Sequence, residues 1–192
     1  MSMRINVEDV LRFEPILKAV SDTTVSVLRN VFVYNDGVMV ASDRFLAMSF
    51  TPHTLPNTTT TTNTQQAVAI PLSVFPLLKT LKKETAQVES DRLVAEGSGT
   101  TIPLADVDGG SIPSLRRFIE TNYVEPRKGI VPENTHYGWD YKVLATVSKL
   151  ANMFKDTVFF EFSGDANHPI LCSEFVTNNG TYRLVVASAV RR

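Results

Sequence analysis

Cysteine is almost missing from this 192-residue chain: Cys172 stands alone, which excludes an intramolecular disulfide and fits a reducing, intracellular compartment. No apolar run reaches the length of a membrane-spanning helix, and the opening MSMRINVEDV lacks the apolar core of a secretion signal. A cytoplasmic location is expected. Histidine occurs only as His53, His136 and His168, without His-x-x-x-His spacing, and one cysteine cannot supply a zinc-binding pair. GxGxxG, GxxxxGK[ST] and GxSxG are all missing. No metal, cofactor or catalytic activity is therefore expected. An excess of one charge is also missing: 19 basic against 20 acidic residues leave a net −1, which argues against general nucleic-acid affinity but not against a local patch.

What the chain does have is 43% hydrophobic residues, enough for a substantial core, arranged in a repeated order. The pattern is densest over residues 67–118. A short apolar strand, Ala67–Ile70, leads into a helix predicted from Ser73, a capping residue, through Pro76, which tolerates the first turn, to about Glu84. Val74, Leu77, Leu78 and Leu81 recur at helical spacing, with Lys79, Lys82 and Lys83 elsewhere on its surface. Three β-rich runs follow, Ala86–Glu89, Arg92–Ala95 and Thr100–Leu104, separated by Ser90-Asp91 and Gly97-Ser98-Gly99.

The same order occurs twice more. Residues 4–51 give a strand (Arg4–Val7), a helical segment over Asp9–Val20 that Pro15 splits, and the runs Val27–Tyr34, Val38–Ser42 and Leu46–Thr51, with Asn35-Asp36-Gly37 as a hairpin turn. Residues 139–190 give a helix, Tyr141–Phe154, then Thr157–Phe162, Ile170–Thr177 and Thr181–Ala189, with Asn178-Asn179-Gly180 as the turn. Three copies of strand, helix and meander predict an α+β repeat architecture in which each helix packs on its own sheet. The Thr-rich stretch 52–66 reads as a mobile surface loop. Residues 105–138 read as a turn-rich segment followed by an extended crossover punctuated by Pro126, Gly129 and Pro132. Cys172 falls in an apolar strand and reads as core, Asp43 as a turn residue, and Tyr137 and Trp139 as apolar anchors for the crossover.

Four stretches carry a family resemblance. DGVMVASDRFLAM, VAIPLSVFPLLKTL, LADVDGGSIPSLRRFI and the series DYKVLATVSKLA, VFFEF, HPILCSE and YRLVVASAVRR resemble, in order, segments of the bacterial-type sliding clamp, the beta subunit of DNA polymerase III, in a small or phage-like divergent form. The resemblance implies the sliding-clamp fold. It matches residues 1–118 to the family's middle domain, 119–138 to a crossover linker and 139–192 to the second half of its last domain. The first domain has no counterpart here, and a lone half-domain exposes apolar surface and a sheet edge. Self-association is therefore expected, with each lone unit completing a domain through a neighbouring subunit, and counting units suggests that four copies would close a ring.

The resemblance further implies a non-enzymatic processivity factor for DNA replication that encircles duplex DNA. Its helices would present Arg12, Lys18, Lys79, Lys82, Lys83, Lys142, Lys149 and Lys155 to the phosphates without reading bases, while the acids Asp106, Asp108, Glu161 and Glu174 fall mostly in strands and loops. The alternative is that lysine is common on any solvated helix face. A second implied site is a pocket for short peptides of polymerases and other partners, built from Ser42, Leu46, Pro71, Phe75, Val186 and Ser188. Here Arg44 and Phe45 depart from the family's Gly-His-Arg run, and Ser188 stands in for a larger apolar residue. The alternative is that Leu46, Phe75 and Val186 are ordinary core. A clamp-fold interaction module that does not encircle DNA is the competing functional reading.

Overall fold

The computed structural model describes residues 3–20, 26–54, 67–104, 113–122, 137–158, 160–165, 168–187 and 190–191. The first unit comprises β1 (Met3–Asn6), α1 (Val7–Leu11), α2 (Glu14–Ala19), β2 (Asn30–Tyr34), β3 (Met39–Ser42) and β4 (Leu46–Pro52). The second comprises β5 (Ala67–Pro71), α3 (Phe75–Thr80), β6 (Thr85–Val88), β7 (Arg92–Ala95) and β8 (Thr101–Pro103). A connector bearing α4 (Pro113–Asn122) and β9 (Tyr137–Gly138) leads to the third unit. That unit comprises α5 (Tyr141–Phe154), β10 (Glu161–Asp165), β11 (His168–Val176) and β12 (Gly180–Ala187), and the last strand is β13 (Val190–Arg191).

The first two units exchange their leading strands. β1 pairs antiparallel with β6 of the second unit, and β5 pairs antiparallel with β2 of the first. The third unit then joins the first edge to edge, because β12 pairs with β4 and sets Val186 opposite Leu46 and Gly180 opposite Pro52. Two main sheets result, in the orders β1-β6-β7-β8 and β10-β11-β12-β4-β3-β2-β5, while β13 pairs with β9.

Strand alternation divides the longer sheet into two apolar faces. Val31, Val33, Met39 and Met48 join the main core with Ile16, Leu17, Phe75 and Leu150 from the helices. Phe32, Tyr34, Val40, Ala47 and Val185 point the other way, where Leu115 and Ile119 of α4 cover them together with Cys172. Burial on both faces explains why β2 and β3 read as unbroken apolar runs. Arg116 fastens α4 in place, with an ion pair to Asp36 at 2.7 Å and its guanidinium 5.0 Å from the Tyr34 ring centroid.

Local chemistry accounts for most boundaries. Pro15 lies in the first turn of α2 and marks its separation from α1. Gly37 supplies the positive φ, 79°, of the β2–β3 turn. Asp140 caps α5 by accepting from the Lys142 N–H at 2.7 Å, and Lys155 closes the helix in the left-handed region at φ 52°.

Several expectations are corrected. The helix expected from Ser73 to Glu84 begins as a 3-10 turn, Leu72–Val74, and continues only as α3, Phe75–Thr80; no side chain caps it, Ser73 included. So short a helix buries a single line, Phe75 and Leu78 followed by Leu81, and leaves Leu77 55% exposed. The connector carries α4 where turns and an extended crossover were expected, because Leu115 and Ile119 find an apolar sheet face that only the tertiary fold creates. A division at residue 118 therefore cuts through a helix. Residues 26–29 form a 3-10 turn ahead of β2, and β10 starts at Glu161, later than expected. The Thr-rich residues 55–66 and the crossover residues Pro126, Gly129 and Pro132 lie outside the described residues.

Candidate functional site

Of the eight cations expected to face DNA, four are ion-paired close to home, sharing two carboxylates that offset half of their charge. Glu14 Oε1 accepts from Lys18 Nζ and from Lys79 Nζ, each at 2.7 Å, so one carboxylate bridges α2 and α3. Partial burial opposes its ionisation, yet the two ammonium groups together hold the Glu14 carboxyl below the usual glutamate range. Glu8 plays a similar part at longer range, 3.6 Å from Arg12 Nη2 and 3.8 Å from Lys82 Nζ. Arg12 is also largely buried, its guanidinium carbon 5.2 and 5.4 Å from the ring centroids of Phe154 and Tyr182. Glu8 and Glu14 are the acids that the expected segregation of charge leaves out.

Lys83, Lys142, Lys149 and Lys155 form no ion pair among the described residues. Three of these belong to α5 and its C-cap. Within α5 there is no acidic residue, and neither of its two lysines is ion-paired among the described residues. Of the acids expected in strands and loops, Glu174 lies on β11 and pairs with Arg183 at 3.2 Å; Asp106 and Asp108 lie outside the described residues.

The six peptide-pocket residues are partly brought together. Leu46 and Val186 are cross-strand partners at the seam where β4 meets β12, and Phe75 joins them in the main core, all three being 1% exposed. Ser42 is buried, its Oγ accepting from the Arg44 N–H at 3.1 Å. Arg44 itself adopts φ 88°. Pro71 closes β5 opposite Asn30 and stays half-buried. Ser188 lies outside the described residues. Asp43 behaves as a turn residue, its Oδ1 accepting from the N–H groups of Phe45 at 3.0 Å and Leu46 at 2.8 Å; burial pushes its carboxyl up against the pull of those donors. Cys172 is buried, and Trp139 packs against the main core.

A buried polar cluster at the seam has no signature in the sequence. Asp9 on α1 is fully buried; its Oδ1 accepts from the Tyr182 hydroxyl at 2.6 Å, and its Oδ2 from Asn179 Nδ2 at 3.0 Å and Asn6 Nδ2 at 3.2 Å. Desolvation first, and then the Asp9 charge, hold the Tyr182 hydroxyl far above its usual pKa, so it remains a neutral donor. The cluster joins residues more than 170 positions apart in sequence and pins the third unit to the first. A cavity of about 590 Å³ opens beside it, lined in part by Arg4, His53, Asn178 and Asn179. Among the described residues no group of three or more His, Cys, Asp or Glu is placed to hold a metal ion, and no helix is long and apolar enough to cross a membrane.

Exchanged leading strands within a pair of units, and last strands joined across the next boundary, are the features to compare with known structures. The beta subunit of DNA polymerase III from Thermotoga maritima superposes on 97% of this chain at 13% identity with a TM-score of 0.58. The Helicobacter pylori beta clamp, in complex with diflunisal, covers 98% at 12% identity with a TM-score of 0.65. The chain has the sliding-clamp fold. It spans about two thirds of those proteins, 64% of the first and 66% of the second. Another Helicobacter pylori beta clamp structure, bound to a DNA ligase peptide, matches 98% of the chain at 12% identity with a TM-score of 0.55. No protein-family model matches the chain, and no curated protein does.

Proposed function

We propose that this clamp-fold chain is a DNA sliding clamp, a processivity factor without catalysis of its own that encircles duplex DNA and holds partner proteins by short peptides. The observation that carries the reading is the match of nearly the whole chain to clamps, over three units in clamp order. The unpaired lysines of α5 would contact phosphates without regard to sequence, and several copies would assemble to surround the duplex. The seam at Leu46 and Val186 would receive such a peptide; a clamp of the same fold binds one from DNA ligase. Leu46, Phe75 and Val186 are buried, and the half-buried Leu72 and Val74 pack against the same core, so a peptide would meet those two before the three beneath.

The decisive experiment loads the protein on nicked circular DNA and then linearises the DNA. A clamp is retained on the circle and slides off the linear molecule, and Glu substitutions at Lys142, Lys149 and Lys83 weaken retention. Equal retention on both forms would overturn encirclement. One observation favours the second reading, an interaction module that does not surround DNA: Glu8 and Glu14 pair with Arg12, Lys18, Lys79 and Lys82 and offset half of their charge. On that reading the charge reversals leave DNA behaviour unchanged while binding of a clamp-directed peptide persists.

A further inference from the structure

The exchange between the first two units gives a rule for what the third unit needs. In each, the first strand of the meander receives on its outer edge the strand that precedes the helix of the other unit: β1 lies on β6, and β5 lies on β2. The exchange is reciprocal, and α1 and α3 meet beside it. In the third unit the equivalent strand is β10, which ends the seven-stranded sheet, so its outer edge carries no neighbour among the described strands. Its helix is also bare on one flank. At about 100° per residue, Tyr141, Leu144 and Ser148 share an arc of about 60° on α5. Tyr141 is 74% and Leu144 48% exposed, and no charged residue falls within that arc. An open strand edge and an uncharged helix flank thus lie on the same half-domain, where the first two units each have a partner.

We infer that the missing partner is the third unit of a second copy, and that the two complete one domain about a two-fold axis. The strand before α5, β9, of each copy would reach the β10 edge of the other, and the two α5 helices would pack antiparallel through Tyr141, Leu144 and Ser148. A reciprocal exchange between unlike units becomes an isologous contact between like ones, since the same patch is donor and recipient. The other free meander edge suits this role less well. On β8 the Leu104 N–H donates to the Asp91 carbonyl and the Thr100 carbonyl accepts from Ala95, so alternation turns Thr101 and Pro103 outward, and Pro103 offers no N–H. The inference deepens the self-association in the proposed function but requires none of its DNA contacts.

The test is light scattering over a concentration range on three forms of the full chain. Wild type should dimerise or form larger even-numbered assemblies, and the Tyr141→Glu/Leu144→Glu variant should remain monomeric with an unchanged circular dichroism spectrum. Val176→Glu, which alters an equally exposed apolar residue away from α5, should associate as wild type does. The Ser148→Cys variant, changed at the middle of α5, should form a disulfide-linked dimer under mild oxidation, while the buried Cys172 of wild type should not. Monomeric wild type at every concentration, undiminished association of the double variant, or no cross-link through position 148 would overturn the inference. A dimer that ignores DNA would sink only the functional reading, and a DNA-retained assembly that survives the double variant only this one.

Discussion

Tyr182→Phe isolates one hydrogen bond at the seam. The ring stays, with its centroid 4.7 Å from that of Phe50 and 4.8 Å from that of Phe154, so apolar packing is conserved. What goes is the hydroxyl that donates to Asp9 Oδ1 at 2.6 Å, leaving part of a fully buried carboxylate without its donor. A hydrogen bond to a charged group contributes about 1.5–3 kcal/mol, and its loss here should sit in that range because Asp9 is fully buried. For a chain of this size each kcal/mol moves the melting temperature by about 2–4 °C, so the variant should melt about 3–12 °C lower. Urea unfolding gives the free energy, and a double-mutant cycle with Asp9→Ala assigns it: in that background the Tyr182→Phe loss should fall toward zero. A loss below about 0.5 kcal/mol, or the same loss in both backgrounds, would refute the account of Asp9 as the pin between the first and third units.

Gly180→Ala should cost about 1–3 kcal/mol in urea unfolding, because an added Cβ would stand 2.4 Å from the Thr51 carbonyl and 2.5 Å from the Phe50 ring, where β12 meets β4. Asp140→Ala removes the N-cap of α5 and should lower stability by about 0.5–2 kcal/mol, with Asp140→Ser restoring most of it. Glu14→Gln should lose up to about 1 kcal/mol at neutral pH. Since the folded carboxyl titrates below the ordinary value, its contribution is present above that value and is lost as pH falls through the lowered one, so variant and wild type should converge in acid. The same variant frees Lys18 and Lys79, and on the clamp reading it should steepen the dependence of DNA affinity on salt by about 0.9 per added phosphate contact.

The repeat was legible because each unit writes its own turn and helix signals. Asn35-Asp36-Gly37 became a turn at the expected place, and α5 spans the residues its periodicity predicted. Pro15 divided the first helix as expected, because its missing N–H acts locally. The misses share a cause in long-range pairing. Val74 and Leu77 look like an apolar stripe, but α3 is too short to bury them all and its face is chosen by the sheets beneath. α4 carries Leu115, Phe118 and Ile119 at helical spacing, but the Asp108-Gly109-Gly110 turn signal just ahead outweighs so short a period; the helix lies over an apolar sheet face made largely from β2, β3 and β12. Asp9 sits among Val7, Val10 and Leu11 and reads as a surface acid, since its partners Asn179 and Tyr182 lie at the other end of the chain. The lysines were legible as positions but not as charges available to a ligand, because Glu8 and Glu14 act across helices.

The surface of α5 links the two proposals in a way neither states alone. Val143, Val147 and Leu150 face the core, while Lys142 and Lys149 lie about 20° apart on one exposed flank and the uncharged Tyr141, Leu144 and Ser148 centre about 120° away. A two-fold pair formed through the uncharged flank would leave the lysine flanks of both copies exposed on one domain. Self-association would then double the lysines that one particle offers a duplex, and by linkage whatever factor association adds to DNA affinity, DNA adds to association. The Tyr141→Glu/Leu144→Glu variant, which alters no lysine, should therefore show a shallower salt dependence of DNA binding as well as a monomeric mass. An unchanged slope in a proven monomer would mean that the lysines act one helix at a time, and the positive surface of α5 would then owe nothing to assembly.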